Sequence, residues 1–154
     1  MIDNILVVYK KNFEEIHDQA LESIRNDLDC IVAERGISVD YSARETVRRT
    51  DFIECDLVVV LGGDGTLTSI AHSVDSDTPV MGVNSHPRSE DEEGSYGFYM
   101  GSDPSNFAVD IRSVIEGTAI VNRLPRLQAE IETCLLYTSP SPRDLSTSRM
   151  PSSA

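Results

Sequence analysis

Leu57-Val58-Val59-Val60-Leu61 runs directly into Gly62-Gly63-Asp64-Gly65-Thr66, so an apolar strand empties into three glycines set around one acid and one hydroxyl. An apolar run with no polar break suits a strand covered on both faces, and that places it inside a parallel sheet. Ile5-Leu6-Val7-Val8-Tyr9 and Val80-Met81-Gly82-Val83 repeat the pattern. Phe13, Ile16, Ala20, Ile24, Leu28 and Ile31 recur every three or four positions, which predicts one amphipathic helix from Phe13 to about Glu34, stopped by Gly36. A short strand is expected at Ile37 to Tyr41, and Ser42 to Thr50 reads as either helix or loop. Asp56 to Leu61 is the next strand, Thr66 to Val74 the helix beyond the glycine turn, and Asp77-Thr78-Pro79 resets the chain before a strand at Val80 to Val83. Strand, turn, helix and strand in that order make a parallel α/β unit, whose ligands lie beyond the carboxyl ends of the strands. Asp64 and Asn84 both fall at that edge.

A side chain at Gly62, Gly63 or Gly65 would narrow the approach of a ligand or forbid a positive φ, and a helix beginning near Gly65 would offer N–H groups to an anion. Phosphate repels Asp64. A carboxylate held in such a place makes sense chiefly as a handler of a proton or a metal ion. The other reading of Asp64 is a helix cap. Thr66 serves equally as a helix-start hydroxyl, and Asn84 as a group that satisfies a strand end.

The chain has 154 residues, 26 of them Asp or Glu against 13 Lys or Arg, for a formal net charge of -13. That field repels nucleic acid and anionic membranes, so neither is expected as a partner. A nucleotide would need local cations, backbone N–H groups or magnesium. Cys30, Cys55 and Cys134 lack metal-ligand spacing, which suits a reduced, cytoplasmic protein, and no metal site built from side chains is expected. His17 and His72 fall on predicted helices without acid partners and read as surface or boundary residues; His86 falls in a polar loop from Ser85 to Glu93. Asp103 or Ser105 can cap a helix through Phe107, Ile111 and Ile115 to Gly117. From Thr118 the pattern shifts toward Leu124, Leu127, Ala129 and Ile131, the first strand of a unit that is not completed. The expected organisation is therefore an α/β domain over 1–123, the start of a truncated second domain over 124–133, and a Ser/Pro-rich tail over 134–154 that is disordered or artefactual.

Gly62-Gly63-Asp64-Gly65-Thr66 resembles the signature of the NAD kinases and, more remotely, of the diacylglycerol and sphingosine lipid kinases and the phosphofructokinases. Pro79-Val80-Met81-Gly82-Val83-Asn84, followed by Gly94-Ser95-Tyr96-Gly97-Phe98, is similar to the second NAD kinase segment, where Gly-Asn after a strand leads to Gly-x-Leu-Gly-Phe. The insertion between them, with Pro87, Arg88-Ser89 and Glu93-Gly94, is similar in part to the mitochondrial-type branch; His86 departs from it, standing where that branch has an acid. The resemblance spans roughly residues 3 to 132 and implies a parallel-sheet nucleotide-kinase N-terminal domain whose β-rich second domain is missing or truncated.

The resemblance further implies transfer of the ATP γ-phosphate to the 2′-hydroxyl of the adenosine ribose of NAD, with Mg2+ balancing charge. Asp64 would accept the hydroxyl proton. Gly62, Gly63, Gly65 and Thr66 would line the phosphates, Asn84 would hold the nucleotide by its amide, and Phe98 would lie against the adenine or the pocket wall, unless it is a core residue. The family's second domain carries an Asn with an acid that grips the nicotinamide nucleotide, and it builds homo-oligomers. No counterpart follows Ile131, so this chain alone is expected to be inactive. The alternatives are a diacylglycerol-type lipid kinase, which the acidic surface and Gly97-Phe98 disfavour, and a non-catalytic nucleotide-binding module.

Overall fold

The computed structural model describes residues 2–11, 15–88 and 94–126. Expectations for Phe13, for Ser89 to Glu93, for Leu127 to Ile131 and for the tail over 134–154 lie outside those residues. The elements are β1 (Asn4–Tyr9), α1 (Glu15–Arg35), β2 (Ser38–Ala43), β3 (Leu57–Gly62), α2 (Asp64–Ile70), β4 (Val80–Asn84) and α3 (Phe107–Ile115), with a 3-10 turn at Arg49–Phe52 between β2 and β3. The four strands are parallel in the order β2-β1-β3-β4. The α/β parallel-sheet expectation therefore holds.

The apolar runs of β1 and β3 are covered on both sides, whereas β4 buries Met81 and Val83 on one side and leaves Val80 exposed. One face of the sheet, with Ile5, Val7, Leu57, Val59, Leu61, Met81 and Val83, packs on Ala20, Ile24, Leu28 and Ile31 of α1 and on Phe107 and Ile111 of α3. Leu6, Val8, Val58 and Val60 meet Phe52, Ile70 and Val74 on the other face. Strand residues alternate between these two cores as the pleat requires. Gly36 at φ +71 and Gly117 at φ +72 close α1 and α3 in the left-handed conformation that favours glycine.

Several boundaries differ from expectation for local reasons. β2 runs on to Ala43, so the ambiguous segment is a turn followed by the single 3-10 turn. α2 starts two residues early, because Thr66 and Leu67 N–H already turn back to Gly63 O. It also stops early, at Ile70, with Ser73 N bonding Ile70 O. Asp103 does not cap α3 directly; it accepts Ser105 N at 2.8 Å and holds the turn that leads into Asn106, the helix cap. The described residues up to Val121 form one compact unit. Residues 118–126 carry no strand.

Asp56 ties the amino end of β1 to the start of β3. Its Oδ2 accepts Asp3 N and Asn4 N, each at 2.9 Å, and Asp56 N donates to Asn4 O. Those two backbone donors hold its carboxyl below the usual carboxylate range. A depressed folded-state value stabilises the protein above the unfolded pKa, and the benefit disappears as pH falls through the folded value. Asp56→Asn is expected to lower stability at pH 7 by about 1 kcal/mol, solvent screening having trimmed the charge-assisted bonds. Urea unfolding should show the gap between wild type and variant closing below about pH 4, and an equal gap at pH 7 and pH 3 would refute the assignment.

Candidate functional site

Sheet register brings the sequence-predicted residues together. Gly62, the last residue of β3, lies directly across from Asn84, the last of β4, and Ser85 N donates to Gly62 O at 3.0 Å. The chain then leaves β4, and residues 94–102 come back over the same edge. Asn84 N donates to Ser102 O and Ser102 N to Gly82 O, so Ser102 finishes the sheet where β4 stops.

Asp64 heads α2 and faces that returning segment. Its Oδ2 accepts Phe98 N at 3.0 Å and its Oδ1 accepts Tyr99 N at 2.8 Å. Each oxygen keeps a lone pair beyond these bonds, since an ionised carboxylate has about four acceptor sites. Asp64 therefore latches the loop, and acceptor positions on both of its oxygens lie outside these two bonds. Asn84 performs the matching task from β4. Its Nδ2 donates to Ser95 O at 3.0 Å, and its Oδ1 accepts Ser95 Oγ at 3.0 Å and His86 N at 3.2 Å. The loop is thus held by two side chains that stand at the ends of neighbouring strands.

The glycines of this edge differ in what their backbones and neighbours require. None of Gly62, Gly63 and Gly65 has a positive φ. A Cβ on Gly62 would collide with the Thr66 side chain, coming within 2.8 Å of its Cβ and closer still to its hydroxyl, so Gly62 is small because Thr66 packs beneath it. Thr66 is 2 % exposed. At Gly65 an added Cβ meets nothing within 4 Å. The positive φ values belong to the returning loop: Gly97 has φ +63, and a Cβ there would lie 2.6 Å from Asn84 Nδ2.

Phe98 is 83 % exposed, which removes the core reading. Its ring stacks on Tyr96, 67 % exposed, with centroids 5.6 Å apart and planes 26° apart. The Arg88 guanidinium sits 4.3 Å from the centroid of the Tyr96 ring. Pro87 and Ser95 form a parallel bridge, with Arg88 N donating to Ser95 O, and that pairing sets Arg88 beside Tyr96. Tyr96 occupies the position where the NAD kinase segment has leucine, and that difference alone does not reveal the stack.

His17, expected at the surface or a boundary, is instead buried, and its Nδ1 lies 2.7 Å from Ser85 Oγ, one residue past Asn84. Its ring meets that of His86 edge-on at 6.3 Å. The signal was present, because His17, Ala20, Ile24, Leu28 and Ile31 make one helical stripe. Among the described residues no three His, Cys, Asp or Glu side chains gather as a metal cage. Asp64 as the carboxylate at the turn suits a magnesium ion carried in on phosphate oxygens with its own waters, the usual mode for that ion. No helix among the described residues is long and apolar enough to cross a membrane.

The ATP-NAD kinase N-terminal domain matches residues 4–119. An NAD kinase of Natronomonas pharaonis is 34% identical over 112 residues, covering 70% of this chain and 38% of that protein. A probable NADH kinase of Oryza sativa subsp. japonica is 30% identical over 95 residues, covering 55% of this chain and 29% of the relative. The crystal structure of an NAD kinase from Archaeoglobus fulgidus in complex with ATP superposes with a TM-score of 0.53 at 22% identity, over 74% of this chain and 37% of the other; at that identity the likeness is one of fold. The chain spans less than two fifths of the length of each of these proteins. With three quarters of its residues inside the matched domain and the glycine turn at the carboxyl end of a central parallel strand, the chain belongs to the ATP-NAD kinase family, in its N-terminal domain.

Proposed function

We propose that the full-length protein transfers the γ-phosphoryl group of ATP to the 2′-hydroxyl of the adenosine ribose of NAD, giving NADP and ADP. The observation that carries this reading is the pairing of Asp64 with the Phe98 loop: a carboxylate at the ligand edge holds, through the Phe98 backbone N–H, an aromatic ring left open to solvent. Exposed aromatic faces attract a heteroaromatic base, and a base stacked on Phe98 would bring its ribose toward Asp64. In the step itself the 2′-oxygen attacks the γ-phosphorus while its proton passes to Asp64, and the bond from phosphorus to the bridging oxygen of ADP breaks. Magnesium, when bound, supplies charge to the transferring group. A carboxylate is a weak base at neutral pH, so alignment and charge stabilisation provide most of the acceleration.

Gly62, Gly63 and Gly65 keep side chains out of the phosphate approach in this reading, Thr66 supports the turn from below, and Asn84 fixes the loop that receives the nucleotide. A β-rich second domain completes the nicotinamide side and joins subunits into a homo-oligomer, and the protein works in the cytoplasm. The domain division at 123 and 133 belongs to the same proposal. The alternative, a nucleotide-binding module without turnover, is favoured for the 154-residue chain by itself, because it spans so little of its relatives.

An assay coupled to an NADP-specific dehydrogenase decides the matter. The full-length protein with ATP, Mg2+ and NAD is expected to generate NADP, and the isolated chain to give less than about 1% of that rate, since the positioning that a second domain supplies would be missing. No NADP from the full-length protein would overturn the kinase reading. Robust NADP formation by the isolated chain would overturn the need for a second domain.

A further inference from the structure

Lys10 and Lys11 are the chain's only lysines, and they stand together in a protein with a net charge of -13. β1 ends at Tyr9, so both follow its carboxyl end. Tyr9 is level with Ala43 of β2 and Leu61 of β3, and the ladder continues one step, with Lys10 N donating to Leu61 O at 3.0 Å and Arg44 N to Tyr9 O at 2.9 Å. The next row across the sheet edge therefore reads Arg44, Lys10, Gly62, Asn84, the last two already paired in register. Neighbouring strands are about 4.8 Å apart, so the Lys10 backbone lies one strand from the glycine turn, within reach of a four-carbon stem.

Arg35 pairs with Glu116, Arg112 with Glu34 and Arg44 with Glu45, and Arg25 lies over the Tyr41 ring. Lys10 is half-buried and Lys11 exposed, and among the described residues neither ammonium makes an ion pair. Glu45 bonds the Arg44 side chain and faces the Lys11 backbone N–H. Two lysines that adjoin in sequence, with the Lys10 backbone at the ligand edge and no ion pair among the described residues, are most simply explained by an anion that belongs there.

We propose that Lys10 and Lys11 form a polyphosphate-binding element that receives the phosphoanhydride chain of a nucleoside triphosphate beside Gly62 and Gly63. The inference rests on the kinase reading above for its choice of a nucleotide, and it assigns the donor's charge to a strand which the glycine signature does not include. Lysine suits the task as a mobile point charge able to follow the phosphate chain.

The two lysines make the test direct. Pulsed reductive methylation of the chain, read peptide by peptide by mass spectrometry, reports on Lys10 and Lys11 with the Met1 α-amino group as internal standard, while tyrosine fluorescence reports binding independently. ATP and inorganic tripolyphosphate are each expected to slow methylation at the lysines by about tenfold or more near saturation, while adenosine leaves it unchanged. Lys10→Gln is expected to weaken tripolyphosphate binding about fivefold and to reduce its salt dependence. If ATP alters tyrosine fluorescence but leaves lysine methylation at its free rate, the lysine assignment is wrong and the kinase reading stands. If ATP changes neither signal, the nucleotide reading falls and the assignment falls with it. Protection by tripolyphosphate but not by ATP would also overturn the proposal, because the site would then take a free anion rather than a nucleotide.

Discussion

Asp64→Asn in the full-length protein is expected to lower kcat by about 10³-fold, the usual effect of removing a positioned general base. Asparagine has nearly the shape of aspartate but cannot take a proton at neutral pH. The structure adds a second consequence. Asp64 receives Phe98 N on one oxygen and Tyr99 N on the other, whereas asparagine has a single acceptor oxygen and would turn its NH2 toward one of those two donors. One latch bond is therefore lost, at about 1–2 kcal/mol, and the loop bearing the Phe98 ring loosens. The expected signature is a large fall in kcat with a rise in KM for NAD of about tenfold, since 1.4 kcal/mol is one decade in binding. A rise in KM with kcat within about threefold of wild type would reduce Asp64 to a latch and remove it from the chemistry.

That double role marks the boundary of what the sequence could reveal. The sheet was legible because Ile5 to Tyr9, Leu57 to Leu61 and Val80 to Val83 are short apolar runs without interruption, a pattern suited to strands of a parallel sheet. The long helix was legible from its period, and the parallel order from its short crossovers. Gly62, Asp64 and Asn84 were legible as edge residues because they follow strands. Their bonds were not. The carboxylate of Asp64 meets N–H groups 34 and 35 residues away, and the amide of Asn84 meets Ser95 across 11, pairings set by the path of a loop rather than by any local preference. The Arg88, Tyr96 and Phe98 stack escaped for the same reason, since a bridge between Pro87 and Ser95 creates it. His17 escaped differently. Its polarity outweighed its position in the apolar stripe, although a buried histidine with a hydroxyl partner satisfies both.

Gly97→Ala and Gly65→Ala should separate two reasons for glycine at this edge. At Gly97 the backbone has φ +63, which costs a residue with a Cβ roughly 1–2 kcal/mol. The new Cβ would also fall 2.6 Å from Asn84 Nδ2 and 3.0 Å from Met100 Cβ. The loop is the compliant partner, since β4 is locked in the sheet, so Gly97→Ala is expected to shift residues 95–99 off Asn84 and Asp64. Nucleotide affinity should then fall about tenfold or more while the urea midpoint drops by an amount equivalent to about 1–3 kcal/mol. Gly65 has no positive φ and no atom within 4 Å of an added Cβ. Alanine there should raise stability by about 0.5–1 kcal/mol, as glycine is a poor helix former. If Gly65→Ala stabilises the protein and still weakens nucleotide binding, the space that residue leaves open is space for the ligand, because the folded protein itself has no use for it. Unchanged binding in that variant would move the phosphates away from the turn, whereas unchanged binding in Gly97→Ala would detach the aromatic loop from recognition and leave Asp64 without the ring that is proposed to bring it a ribose.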